Sequence, residues 1–236
     1  MNRVRKNIII TASIVVFFVW KYSFADESSY SSQLITEGLI SSWVKEDKQI
    51  LGGRKQIYYY FNKRNKLFSV PIDGEKYTFL PTALSESEIS IAENLIKQVD
   101  NIIDLDFKRV DKVKSADILI YVLCEQDYQN DYGLVTTNFE GTKAVLLLNE
   151  CTNILGNVEN GRLEQMFLHE FGHVLGLEHP FDNSDGDCIF STEKFSEKSV
   201  HLGQTIMAYR ILPNNKIPVF FTSLDIKALI EIWGKE

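Results

Sequence analysis

The chemistry-bearing residues of this chain are concentrated in His169–Pro180, which reads H-E-F-G-H-V-L-G-L-E-H-P. Three of the four histidines lie there, with a glutamate directly after the first. On a helix, His169 and His173 are four residues apart and share a face, one turn from each other. Two imidazoles set that way grip one metal ion from the same side. Glu170 is near enough to reach a metal-activated water while pointing off the ligand line. Gly176 is placed to end the helix, because an unusual backbone angle costs glycine little. The chain then turns and brings back His179 as a third ligand. Three neutral imidazoles leave one position of a zinc ion open, which is the arrangement of a catalytic site. The competing reading is an amphipathic helix whose histidines are satisfied polar groups beside the core.

A scaffold must hold these groups, and its elements can be read from periodicity. The motif sits on a helix over Asn160–Leu175, with Leu168, Phe171, Val174 and Leu175 toward the core and the two histidines toward a cleft. Gln56–Asn62 is rich in strand formers and reads as a first strand. Ser85 and Glu88 form a capping-box pattern ahead of Ala92, Leu95, Ile96, Val99, Ile102 and Ile103, so Ser85–Ile103 reads as an amphipathic helix. Phe107–Val110 reads as a short strand. Asp117–Leu123 is a nearly unbroken apolar run, as in a strand buried on both faces. Gly133–Asn138 and Lys143–Asn149 flank a turn containing Gly141, and Thr136, Thr137 and Asn138 make the first arm polar enough for an exposed sheet edge. Thr222–Trp233 closes the chain as a helix stopped by Gly234. This order predicts a mixed α/β sheet with helices packed on it.

The remaining stretches set the context. With 236 residues, 44% apolar and 24% charged, the composition is that of one globular domain with at most a small extension. The net charge is −7, and the lack of a basic run beyond the first six residues argues against nucleic acid as a partner. Met1–Lys6 carries three positive charges, and Ile8–Trp20 is a thirteen-residue apolar run, short of the ~20 needed to span a bilayer. Ser23-Phe24-Ala25 follows, so residues 1–25 read as a signal peptide cleaved after Ala25, giving a secreted or periplasmic protein with no membrane attachment. An uncleaved membrane anchor is the alternative. Residues 26–54 are polar and read as an N-terminal extension or short prosegment, ahead of a catalytic domain at 55–236. Export makes disulfides available to Cys124, Cys151 and Cys188. If the strands ending near Cys124 and Cys151 are parallel neighbours, those two thiols share one end of the sheet and can pair. Asp182, Asp185 and Asp187 lie in the irregular stretch Phe181–Leu202 and offer oxygens to Ca2+, or simply solvate a loop. His201 lies outside the motif and reads as a loop histidine.

Taken together, the chain resembles the metzincin metallopeptidases, in their serralysin-like and matrixin-like branch. The long form H-E-x-x-H-x-x-G-x-x-H at His169–His179 is a metzincin signature. Thr205-Ile206-Met207-Ala208-Tyr209 is similar to the family's Met-turn, and Leu224–Leu229 with Ile232-Trp233-Gly234 is similar to the last helix of serralysin catalytic domains. The resemblance spans roughly residues 55–234. It implies a zincin-like fold: a twisted, mixed five-stranded sheet with an antiparallel edge strand, an active-site helix and a C-terminal helix. It also implies Zn2+ held by His169, His173 and His179, Met207 beneath them as a structural support, and Glu170 and Tyr209 as catalytic groups. The edge residues Gly133, Leu134, Val135, Thr136 and Thr137 would bind an extended peptide. The calcium-binding repeats that follow serralysin catalytic domains are not present in this sequence, nor is a matrixin-type cysteine in residues 26–54. The expectation is a monomeric zinc endopeptidase acting on protein or peptide substrates, through a zinc-activated water with Glu170 as general base. The alternatives are a catalytically weak zinc-containing module that binds a partner through the same cleft, and a zinc hydrolase acting on something other than peptides.

Overall fold

The strand-forming runs do assemble into a sheet, and their burial follows from their place in it. The computed structural model describes residues 36–42, 44, 51, 53–124, 133–149, 162–183, 185–186, 193–195, 197, 199–211 and 217–236. The expected signal peptide, Cys151, Cys188 and Asp187 lie outside these residues. Strands β1 (Gln56–Phe61), β4 (Asp106–Arg109), β5 (Ile118–Leu123), β6 (Gly133–Thr137) and β7 (Ala144–Asn149) form a five-stranded sheet in the order β4-β1-β5-β7-β6. The first four of that order run parallel, and β6 pairs antiparallel with β7 at the edge. Central β5 and β7 are buried at every residue, as parallel strands covered on both faces must be. Every residue of the edge strand β6 is half-buried.

One face of the sheet is covered by helices. Helix α1 (Glu86–Asp100) starts at Ser85 in a full capping box with Glu88 and buries Ile89, Ala92, Leu95, Ile96 and Val99. Helix α2 (Arg162–Val174) carries the histidine motif, and α3 (Ser223–Trp233) closes the layer with Gly234 at its end. Their apolar stripes meet Ile57, Phe61, Ile118, Ile120, Leu146 and Leu148 in one large core.

The other face carries no helix among the described residues. A hairpin of β2 (Phe68–Ile72) and β3 (Glu75–Phe79), unforeseen in the sequence, packs Val70 and Phe79 over Tyr60, Leu119, Tyr121 and Leu147. Its turn is Asp73-Gly74, both at positive φ (51° and 80°), which is the primed turn that matches strand twist. Phe68 stacks on Tyr121 at 4.0 Å, and Thr136 of the edge strand donates to the Pro71 carbonyl at 2.7 Å.

Leu34–Glu236 forms one compact unit. Its core reaches back into the stretch expected as extension or prosegment, for Leu39 and Leu51 are fully enclosed. A 3-10 turn at Thr36–Leu39 leads into Ile40, which pairs antiparallel with Leu177. No described helix is long and apolar enough to cross a membrane.

Candidate metal centre

Helix α2 presents His169 and His173 on one face, and its end is built to return the third histidine. Leu177 N–H donates to the Gly172 carbonyl (2.9 Å) and Gly176 N–H to the His173 carbonyl (3.0 Å), a Schellman closure with Gly176 at φ 92°. Any larger residue at 176 would be strained there. The reversal puts His179 Nε2 3.2 Å from His169 Nε2 and 3.2 Å from His173 Nε2. Among the described residues, these three side chains form the group able to hold a metal ion.

Two of the three imidazoles are fixed in the tautomer a metal requires. His169 Nδ1 donates to the Ile206 carbonyl at 2.9 Å, and His173 Nδ1 donates to the Leu177 carbonyl at 2.8 Å. Their Nε2 lone pairs therefore face inward. Burial keeps all three rings neutral: it lowers His169, takes His173 down to about 3 and takes His179 down to about 2, with neighbouring charges adding to the last two. A tetrahedral zinc with Zn–N near 2.0–2.1 Å needs its ligand nitrogens about 3.3 Å apart. The two 3.2 Å spacings to His179 meet that requirement, and the donor set fits zinc.

Three further groups surround the convergence point. Tyr209 places its hydroxyl 2.9 Å from His179 Nε2. Phe181 stacks on the His179 ring at 4.9 Å and 8°, and touches the Tyr209 ring at 4.9 Å. Glu170 is 5% exposed and lies against the first residue of β6: a Cβ built on Gly133 would sit 2.4–2.6 Å from Glu170 Cγ, Cδ and Oε1. Glycine at 133 is thus what lets the carboxylate occupy its place at the head of the edge strand.

Beneath the ligands lies Thr205-Ile206-Met207, fully buried. Met207 Sδ fills the notch at Gly172, where an added Cβ would come within 2.7 Å of it. Asp225 of α3 fastens this turn by accepting from Thr205 Oγ1, from Ile206 N–H at 3.0 Å and from Thr222 N–H at 2.8 Å. Burial raises the Asp225 carboxyl above its usual range, and these hydrogen bonds oppose the shift. The Ile206 peptide thereby links Asp225 to His169.

The structure thus gathers His169, His173, His179, Glu170, Met207, Tyr209 and Gly133 of the edge strand in one place. His201 stands apart, its Nδ1 accepting from Gly203 N–H at 3.1 Å. Asp182 and Asp185 are described, but the calcium reading also involves Asp187, outside the described residues. Cys124 is disulfide-bonded. The expected pairing with Cys151 lies outside the described residues, although β5 and β7 are parallel with Leu123 opposite Asn149. Sequence reasoning missed Gly172, the Gly133–Glu170 contact and Asp225. A glycine inside an otherwise good helix, costing roughly 1 kcal/mol relative to alanine, was the one available signal for Gly172.

No family model matches the sequence, and no curated protein matches it. Solved structures similar to it include the following two. Myroilysin aligns at 11% identity and a TM-score of 0.46, over 77% of this chain and 93% of its own. The GM1-bound form of the ECX AB5 holotoxin aligns at 12% identity and a TM-score of 0.44, over 80% and 84%. Likeness at this level assigns no function to the chain.

Proposed function

We propose that this chain is an exported, zinc-dependent endopeptidase with a metzincin-like fold, working as a monomer on protein or peptide substrates. The observation that carries this reading is the convergence of three neutral histidines, two of them fixed in tautomer, beside a buried glutamate at the head of an edge strand. His169, His173 and His179 would hold the ion. When bound, zinc supplies a Lewis acid and an open position at which water and a substrate carbonyl are polarised.

The chain's own residues do the rest. A peptide laid along Gly133–Thr137 gains main-chain hydrogen bonds in an extended conformation, which brings its scissile carbonyl toward Glu170. Glu170 accepts the proton of the attacking water and passes it to the leaving amine. The Tyr209 hydroxyl donates to the oxyanion that develops on the tetrahedral carbon. Phe181, stacked on His179, keeps bulk water from one side of the ligand cluster.

The test is digestion of denatured casein and of a peptide library, with and without a chelator. Chelator-sensitive internal cleavage is expected. Glu170→Ala should keep its zinc and lose roughly 10²–10⁴-fold in turnover, the range for a general base. A variant that stays fully active would refute the assignment, and a zinc-loaded parent that cuts no peptide would favour a binding module.

A further inference from the structure

The segment at residues 36–41 lies in the stretch that reads as an N-terminal extension or short prosegment, and its contacts converge on the loop that delivers the ligands. Ser41 N–H donates to the Gly176 carbonyl at 3.0 Å, and Glu178 N–H donates to the Leu39 carbonyl at 2.9 Å. These two bonds flank the Ile40–Leu177 pair. Leu177 is the residue whose carbonyl orients His173, at 2.8 Å, and Glu178 immediately precedes His179. Pairing with residues 39–41 thus fixes the peptide groups that aim two of the three ligands.

The segment is itself anchored. Leu39 is fully buried in the main core, and Thr36 Oγ1 donates to Glu231 Oε2 of α3 at 2.6 Å. The same helix reaches the end of α2 through Trp233 Nε1, which donates to the Leu175 carbonyl at 2.8 Å. The ligand-bearing loop is therefore held between the N-terminal segment and the C-terminal helix. Residues 176–178 follow a helix end and have no sheet partner of their own except residues 39–41 among the described residues.

We infer that residues 36–41 are positioning elements of the metal centre, and that N-terminal processing of the active protein stops at or before Thr36. A cut after this segment would take away the pairing that aims His173 and His179, so removing residues 26–54 as a prosegment would inactivate the protein. The inference rests on the zinc reading above. Orienting partners of metal ligands are typically worth 10–100-fold in metal affinity.

Ser41→Pro deletes one donor and leaves every ligand side chain intact. Zinc affinity, measured by chelator competition on the full chain, should fall at least tenfold in this variant. The milder Leu39→Val should lower it by a smaller factor. Val70→Ala, under the β2–β3 hairpin on the opposite face, serves as the control: it should lower the melting temperature and leave zinc affinity unchanged. Affinities within twofold of the parent for both Ser41→Pro and Leu39→Val would overturn the inference, as would N-terminal sequencing that finds an active protein beginning after residue 44. The sequencing result stands even if Ser41→Pro does not fold. A parent chain that takes up no zinc would instead overturn the reading of the centre, and this inference with it.

Discussion

At the scale of single residues, two glycines define the centre as firmly as the histidines do. Gly172 leaves a notch for the Met207 sulfur, and Gly133 leaves room for the Glu170 carboxylate. Both substitutions to alanine add one methyl group, but they should fail differently. Gly133→Ala drives its Cβ to 2.4–2.6 Å from Glu170, so the carboxylate must swing away while the three ligands are untouched. Displacing a reacting group by about 1 Å can cost a hundredfold in rate. Zinc content of Gly133→Ala should match the parent, with kcat down by roughly that factor. Loss of zinc from the variant would mean that the methyl group disturbs the ligands and not the base. Neither glycine announces its partner locally. Each depends on a partner 35 or more positions away in sequence, and only the assembled fold brings the pair together.

At the scale of elements, what could be read in advance is what local pattern determines. The capping box at Ser85 and Glu88, the apolar runs of β5 and β7, the polar edge strand and the glycine that ends α2 all appear where residue spacing places them. The β2–β3 hairpin was overlooked although Asp73-Gly74 between strand formers is a strong turn signal. Its strands are short and its second arm, Glu75–Phe79, is largely polar, so the pattern is faint against the surrounding loop. The pairing of residues 39–41 with 176–178 had no local signature at all. The role of Asp225 was hidden for a similar reason: in sequence it is merely the fourth residue of a capping box begun by Thr222. In the fold, the same carboxylate also secures Thr205 and Ile206. Asp225→Asn can keep its amide oxygen toward the Ile206 and Thr222 N–H groups, but its NH2 then meets Thr205 Oγ1, whose hydroxyl loses its acceptor, and Ile206 N–H bonds a neutral amide in place of a carboxylate. That costs about 1–3 kcal/mol of stability. The loss should show as a lower melting temperature, accompanied by faster zinc exchange because Ile206 no longer holds His169 as firmly. A variant that melts lower with unchanged zinc exchange would confine Asp225 to a capping role.

At the scale of the whole molecule, metal and proton both act on the folding equilibrium. A ligand that binds only the folded state at a hundred times its dissociation constant adds about 2.7 kcal/mol. For a domain of this size, that corresponds to a rise of roughly 5–10 °C in melting temperature. Chelation should remove this increment and zinc should restore it, whereas a melting curve indifferent to both would show that the histidine cluster holds no ion in solution. Tyr59, buried in β1 with its ring edge against Phe61, supplies a separate effect. Burial, with the Glu93 carboxylate adding, pushes its hydroxyl up to about 12 from 10.0. The folded chain holds that proton over an interval in which the unfolded chain gives it up. The contribution is therefore complete below pH 10 and disappears as pH rises through about 12. Tyr59→Phe should flatten the loss of stability between pH 9 and 12, and parallel curves for parent and variant would remove Tyr59 from the account. The chain order of the centre's supports has a consequence for biosynthesis. All three histidines precede residue 180, but the group that locks the turn beneath them is Asp225, and α3 also anchors the segment at residues 36–41. A growing polypeptide thus exposes a complete set of ligands before it possesses the helix that locks the turn beneath them. If the chain is the peptidase proposed here, it stays catalytically silent during its own synthesis, with the final helix serving as the timer.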